Sequence, residues 1–357
     1  MSGFEFATAT RIIFGEGKLK EIASIAPEFG QRALVVCGNV ERAKPLFDLL
    51  DQAKIEHAAF TVKGEPSIEM VQAGSQQAKQ SNVQMVISFG GGSAIDAGKA
   101  IAALATNPGE PLDYLEVIGK GQKLANAPLP FIAIPTTAGT GSEVTRNAVI
   151  ASPEHKVKVS LRSPLMLPKV ALVDPVLTYS MPKDVAAYTG MDALTQVIEP
   201  FTSNAANVVT DLIAFEGIKH GMESIRHVRE GGNLDRYYMA LTSLFGGIAL
   251  ANAKLGAVHG FAGVLGGMYD APHGALCAAL LPYATEMNIR RAWNFETEEA
   301  HSETFGRYVR IAREIPGRTS AGHFEDAKAL VEWLKETVNL LEIPPLRTYG
   351  IKPEDFP

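Results

Sequence analysis

The chain has only two cysteines, Cys37 and Cys277, among 357 residues. No disulfide framework can hold it, and a reducing, cytoplasmic setting is the expectation. Positive charge is not in excess: 33 Lys and Arg stand against 39 Asp and Glu, a net charge of −6. That balance speaks against nucleic acid or an anionic membrane as a partner. The opening residues, MSGFEFATATRI, lack the apolar core of a secretory leader. Long apolar runs are missing too. The most membrane-like stretch, 237–269, carries Lys254 and His259 and is interrupted by glycines, so it reads as two closely packed core helices. What is present is a composition of 46% apolar and 20% charged residues, enough for a large core, in a length that suits two domains.

Strand-like runs at Ala33–Cys37, Val83–Phe89 and Phe131–Ile134 alternate with helical spacing near 41–52, 67–80 and 93–105. Strands alternating with helices predict βαβ units and a parallel sheet. A further β pair, Asn147–Ala151 and Val157–Leu161, flanks a turn at Ser152–His155. Beyond Asp174-Pro175 the pattern becomes helical throughout, over 185–202, 207–228, 235–253, 257–268, 275–290, 297–313 and 323–341. The expectation is an α/β dinucleotide-binding domain with a Rossmann-like parallel sheet over 1–178, then an all-α metal-binding and substrate domain over 179–357.

The run FGGGSAIDAGK, residues 89–99, follows a buried strand and opens a helix. Consecutive glycines let main-chain N–H groups approach an anion, and the helix N-terminus adds its positive dipole end. Gly91, Gly92 and Ser93 are therefore candidate pyrophosphate contacts. Ser93-x-x-Asp96 also fits a capping box, so Asp96 is open between a cap and a cofactor contact. A second loop, PTTAGTGS at 135–142, offers the hydroxyls of Thr136, Thr137 and Thr140. The strand Ala33–Cys37 ends in Gly38-Asn39, without the Asp or Glu that would bond a ribose 2′-hydroxyl. NADP is thus permitted, and the choice between NAD and NADP stays open.

In GMDALTQVIEP, Asp192 and Gln196 are four apart and share a helix face, with Glu199 roughly along the same stripe. Downstream lie His259, in KLGAVHGFAG, and His273, in PHGALC. One carboxylate and two imidazoles make three protein ligands with a position open for a substrate oxygen, as a catalytic zinc or iron(II) site requires. Gln196 would coordinate weakly through its carbonyl oxygen or hold a water behind the ligands.

Together, GGGSAIDAGK, PTTAGTGSEVT, ALVDPVLTYSMP, TGMDALTQVIE and the His259–His273 segment resemble the iron-containing (group III) alcohol dehydrogenase family, from Phe14-Gly15-Glu16-Gly17 to about residue 345. The resemblance implies a fold of the dehydroquinate synthase-like type. It also implies cofactor contacts at Gly91, Gly92, Ser93, Asp96, Thr136, Thr137, Thr140 and Lys158, and a metal at Asp192, Gln196, His259 and His273. Two positions depart from the family. A metal-binding histidine is usual where this chain has Gln196, and a second histidine often stands where it has Gly263. The first departure leaves iron and zinc both open. The activity implied is an NAD(P)-dependent, metal-assisted alcohol dehydrogenase or aldehyde reductase acting on a small primary alcohol or aldehyde, as a homodimer. Three alternatives stay open: a metal-independent enzyme similar to maleylacetate reductases, a non-redox cyclase similar to dehydroquinate synthase, and a cofactor-binding protein that has lost catalysis.

Overall fold

A computed structural model of the chain describes residues 3–269, 271–294, 299–300 and 302–355. Those residues pack as two compact units. One comprises Thr8–Thr137 and Gly141–Ser180; the other takes the residues up to Ala7, Ala138–Thr140 and the chain from Met181 onward.

The first unit is built on a six-stranded sheet of β1 (Arg11–Phe14), β2 (Arg32–Cys37), β3 (Glu56–Thr61), β4 (Met85–Gly90), β5 (Phe131–Pro135) and β8 (Val170–Val173). The strand order is β1-β8-β5-β4-β2-β3, and every pairing is parallel. β2, β4, β5 and β8 are almost wholly apolar and buried, as strands covered on both faces must be. β1 and β3, at the two edges, are more exposed. The short α1 (Ile22–Ile25) and α2 (Val40–Gln52) precede α3 (Ile68–Gln80), α4 (Gly92–Thr106) and the single turn α5 (Pro111–Tyr114). Asn39 and Ser67 begin α2 and α3 by accepting main-chain N–H bonds from Arg42 and Met70. β6 (Asn147–Ser152) and β7 (Val157–Arg162) form an antiparallel hairpin, as the sequence suggests. β1, β3 and β8 join the sheet although the sequence pattern does not single them out.

The second unit is helical: α6 (Lys183–Phe201), α7 (Val208–Ser224), α8 (Asn233–Ala253), α9 (Ala257–Met268), α10 (His273–Ala292), α11 (Glu303–Ala312) and α12 (His323–Leu340). α6 is its axis, buried without a break from Gly190 to Phe201, and α7, α8 and α10 pack on it. Glycines on the packing helices keep the spacing short: a Cβ on Gly217 of α7 would lie 2.7 Å from Val197 Cγ1. Among the described residues no single helix is long and apolar enough to cross a membrane, and the apolar pair α8 and α9 bends by 99°. The helix expected over 297–313 is shorter. Part of its start lies outside the described residues, Glu299–Ala300 is a strand, β10, paired with β9 (Trp293–Asn294), and helix begins at Glu303.

Candidate active site: a glycine loop and a buried donor cluster

At the carboxyl ends of β2, β4 and β5 three loops lie side by side. The Thr136 N–H donates to Gly90 O at 2.9 Å, and Gly90 is in register with Pro135. A Cβ on Gly90 would stand 3.7 Å from Gly38 N, so the end of β2 borders the same place. α4 starts at Gly92 with Gly91 as its N-cap, and no side chain caps it. Its first N–H groups are therefore presented to whatever lies beyond, an arrangement suited to an anion. A Cβ on Gly91 would come within 3.1 Å of Thr137 Oγ1 and 3.2 Å of its Cγ2, so a side chain there would crowd Thr137.

Of the two readings open for Asp96, the capping box is not formed. Asp96 Oδ2 instead accepts the Val149 N–H at 3.0 Å, and Oδ1 faces Lys99 Nζ at 3.1 Å. Lys99 is buried and donates to Ser142 O, Thr145 Oγ1 and Asn147 O. An ammonium group one turn further along α4, with its own set of acceptors, outcompetes the helix N-terminus for the carboxylate. Asp96 thus ties α4 to the β6–β7 hairpin. Nearby Glu143 is 2% exposed, and burial lifts its pKa from the ordinary 4.5 to about 7, against its own main-chain hydrogen bond and the Lys99 charge. Lys158, on β7, pairs with Glu65 at 3.1 Å. Thr140 packs with the helical unit, whereas Thr136 and Thr137 belong to the sheet unit.

In the helical unit, Asp192 of α6, His259 of α9 and His273 and Cys277 of α10 each place one donor atom within 4.8 Å of all the others. His259 Nε2 is 3.3 Å and His273 Nε2 3.8 Å from Asp192 Oδ1. Cys277 Sγ is 3.6 Å from His273 Nε2. Asp192 and Cys277 are buried, while the His273 side chain keeps 33% of its surface exposed and marks the open side of the cluster.

Glu199 sets this geometry. Its carboxylate accepts the Val258 N–H at 2.7 Å and the His259 N–H at 3.4 Å, capping α9 from another helix. It also accepts from His259 Nδ1 at 2.7 Å, which fixes the ring with Nε2 turned toward Asp192. A Cβ on Gly256 would come within 2.7 Å of Glu199 Oε1, so glycine there admits the carboxylate. Gly274 does the same for His273, because a Cβ would lie 2.3 Å from Tyr188 O and push α10 off α6.

The cluster is electrostatically a well for positive charge. Burial, the largest influence on Asp192, works to raise its pKa, yet the His273 and His259 charges and hydrogen bonds bring it below the usual carboxylate range. Burial likewise opposes charge on Cys277, and the two imidazoles outweigh it, lowering the thiol. Cys277, followed by Asp192, lifts His273 to about 9 against burial. Burial works against the His259 charge too, and Cys277, Asp192 and Glu199 overcome it. Such a balance of anions is satisfied either by protons on the imidazoles or by a divalent cation in their midst.

Asp192, His259 and His273 come together as their sequence pattern suggests. Gln196 lies one turn beyond Asp192, buried; its Nε2 donates to Gly139 O at 2.8 Å and its Oε1 has no hydrogen-bond partner. Cys277 was not singled out in the sequence, although it stands one helical turn after His273.

A family profile described as iron-containing alcohol dehydrogenase matches residues 9–175, and one for the C-terminal part of the Fe-containing alcohol dehydrogenase family matches residues 186–357. A choline dehydrogenase of Bacillus subtilis is 34% identical over 98% of this chain and 86% of its own length. A solved 1,3-propanediol oxidoreductase superposes with a TM-score of 0.90, 32% identical, over 99% of this chain and 91% of that one. A sulfoacetaldehyde reductase from Bifidobacterium kashiwanohense, solved in complex with NAD+, superposes with a TM-score of 0.85 at 28% identity, covering 99% of this chain and 90% of that one.

Proposed function

Since the chain belongs to the iron-containing alcohol dehydrogenase family, we propose that it transfers hydride between a nicotinamide dinucleotide and a small primary alcohol or its aldehyde, assisted by one divalent cation. The observation that carries the reading is the convergence of Asp192, His259 and His273 from three helices on one point. A cation bound there supplies Lewis acidity, which lowers the pKa of an alcohol hydroxyl and polarises a carbonyl.

The protein's own groups do the rest. The N–H groups at the start of α4, flanked by Gly91, Gly92, Ser93, Thr136 and Thr137, hold the pyrophosphate. Asp96 and Lys99 keep that loop in place from behind. Glu199 holds His259 in one tautomer. The exposed flank of His273 admits the substrate. No side chain lies within 4 Å of a Cβ built on Gly263, and with no imidazole at that position the hydroxyl proton leaves through water or the ribose hydroxyls. At the end of β2, Gly38 carries no carboxylate to repel a 2′-phosphate, which favours acceptance of NADP as well as NAD.

His259→Ala tests the assignment. Bound metal and NAD(P)H-linked turnover with simple aldehydes are expected to disappear together while NAD(P)H binding survives. Full turnover in the variant after chelator treatment refutes it.

A further inference from the structure

We propose that Cys277 is the fourth protein ligand of the cation, so that the site is Asp192–His259–His273–Cys277 and selects a thiophilic divalent ion, zinc before iron(II). The inference rests on the metal reading above and adds to it the identity of a ligand and the class of metal.

Three observations carry it. First, His273 and Cys277 are one turn apart at the start of α10, so both side chains point the same way, and Sγ lies 3.6 Å from Nε2. Second, two of the spacings are those of ligands around one ion, and a third, His273 Nε2 to Asp192 Oδ1 at 3.8 Å, is slightly longer. Tetrahedral zinc, with bonds of about 2.0–2.2 Å to nitrogen or oxygen and about 2.3 Å to sulfur, keeps its ligand atoms about 3.3–3.6 Å apart. The structure places Nε2 of His259 3.3 Å from Asp192 Oδ1, the sulfur 3.6 Å from His273 Nε2, and the four donors all within 4.8 Å. Third, Cys277 is fully buried, with its sulfur among an acid and two imidazoles and not in an apolar environment alone. Gln196, whose Oε1 has no hydrogen-bond partner, is the other candidate for the position, but an amide oxygen is a weaker ligand than a thiolate. Replacing an oxygen or nitrogen donor by sulfur shifts preference toward softer metals.

Cobalt(II) reports the ligand directly, because a bound thiolate gives an intense sulfur-to-cobalt charge-transfer band in the near ultraviolet. The whole chain, stripped with a chelator and loaded with cobalt(II), is expected to bind one ion and show that band. Cys277→Ser is expected to bind cobalt with its visible bands but without the charge-transfer band, and Cys37→Ser to keep it. If the serine variant does not fold, Cys277→Asp, which retains a ligand oxygen, is expected to give the same result. Competition dialysis should show the zinc-over-iron(II) preference falling at least about tenfold in the Cys277 variant. One bound cobalt without the band in the unaltered protein, persistence of the band without Cys277, or an unchanged metal preference would each overturn the proposal. Failure of the metal reading itself looks different: cobalt bound equally well by His259→Ala, or not bound at all.

Discussion

At the ends of β2, β4 and β5 the groups proposed to act are mainly main-chain N–H groups, and glycines keep the approach to them narrow. On α6, α9 and α10 the working groups are all side chains, and the main chain serves to bring them together. The first region centres on one strand–loop–helix turn, with Thr137 from the neighbouring loop packed against Gly91. The second depends on three helices keeping their mutual distances, which Glu199, Gly256 and Gly274 enforce. The regions therefore fail in opposite ways. Adding atoms damages the loop, whereas removing atoms damages the cluster.

The largest separable effect should come from the loop. Gly91→Val drives a branched side chain into Thr137 and over the start of α4; dinucleotide binding, measured by NADH fluorescence, is expected to fall by more than about 100-fold. Metal content should stay at the level of the unaltered chain, since the cluster shares no residue with the loop. Next comes Glu199→Gln, which keeps the shape but removes the charge that orients His259. Metal retention in chelator competition is expected to weaken about 10–100-fold with dinucleotide binding intact.

A third test separates the regions by pH. Glu143 titrates near 7 in the folded protein, above the ordinary 4.5, so the folded state binds its proton more tightly than the unfolded state does. Its burial costs nothing below about pH 4.5, costs progressively more as pH rises, and reaches its full value above pH 7. Glu143→Gln is expected to stabilise the protein by up to about 3 kcal/mol above pH 7 and to flatten the decline in stability between pH 4.5 and 7. An unchanged profile in urea titrations at several pH values refutes the buried, protonated state. The smallest effect is expected from Gly38→Asp. A Cβ there meets only Val62 O, at 3.9 Å, so the side chain fits. The ratio of KM values should shift against NADP, and an unaltered ratio would mean that the end of β2 does not face the ribose.

The same contrast explains what could be read from the chain alone. The glycine loop was legible because strand, glycines and helix follow one another in sequence. The clustered donors were legible only in part. Asp192, His259 and His273 belong to residue types that rarely sit in apolar helices without a partner, whereas a cysteine in such a helix reads as core. The signal for Cys277 was its spacing of four from His273. Nothing local predicts that Gln196 donates to Gly139, 57 residues away. The Ser93–Asp96 pattern left Asp96 open between a cap and a cofactor contact, and the partners it takes, Lys99 and Val149 on a distant strand, were not legible locally. β1 and β8, four residues each, pair with one another across more than 150 residues, and no periodicity within either announces it.

The most direct test is elemental analysis of the unaltered protein and of Asp192→Ala, both purified without chelators. One divalent ion per chain in the first and almost none in the second, with NADH still bound by both, is the expected result. Equal metal content in the two proteins would contradict it.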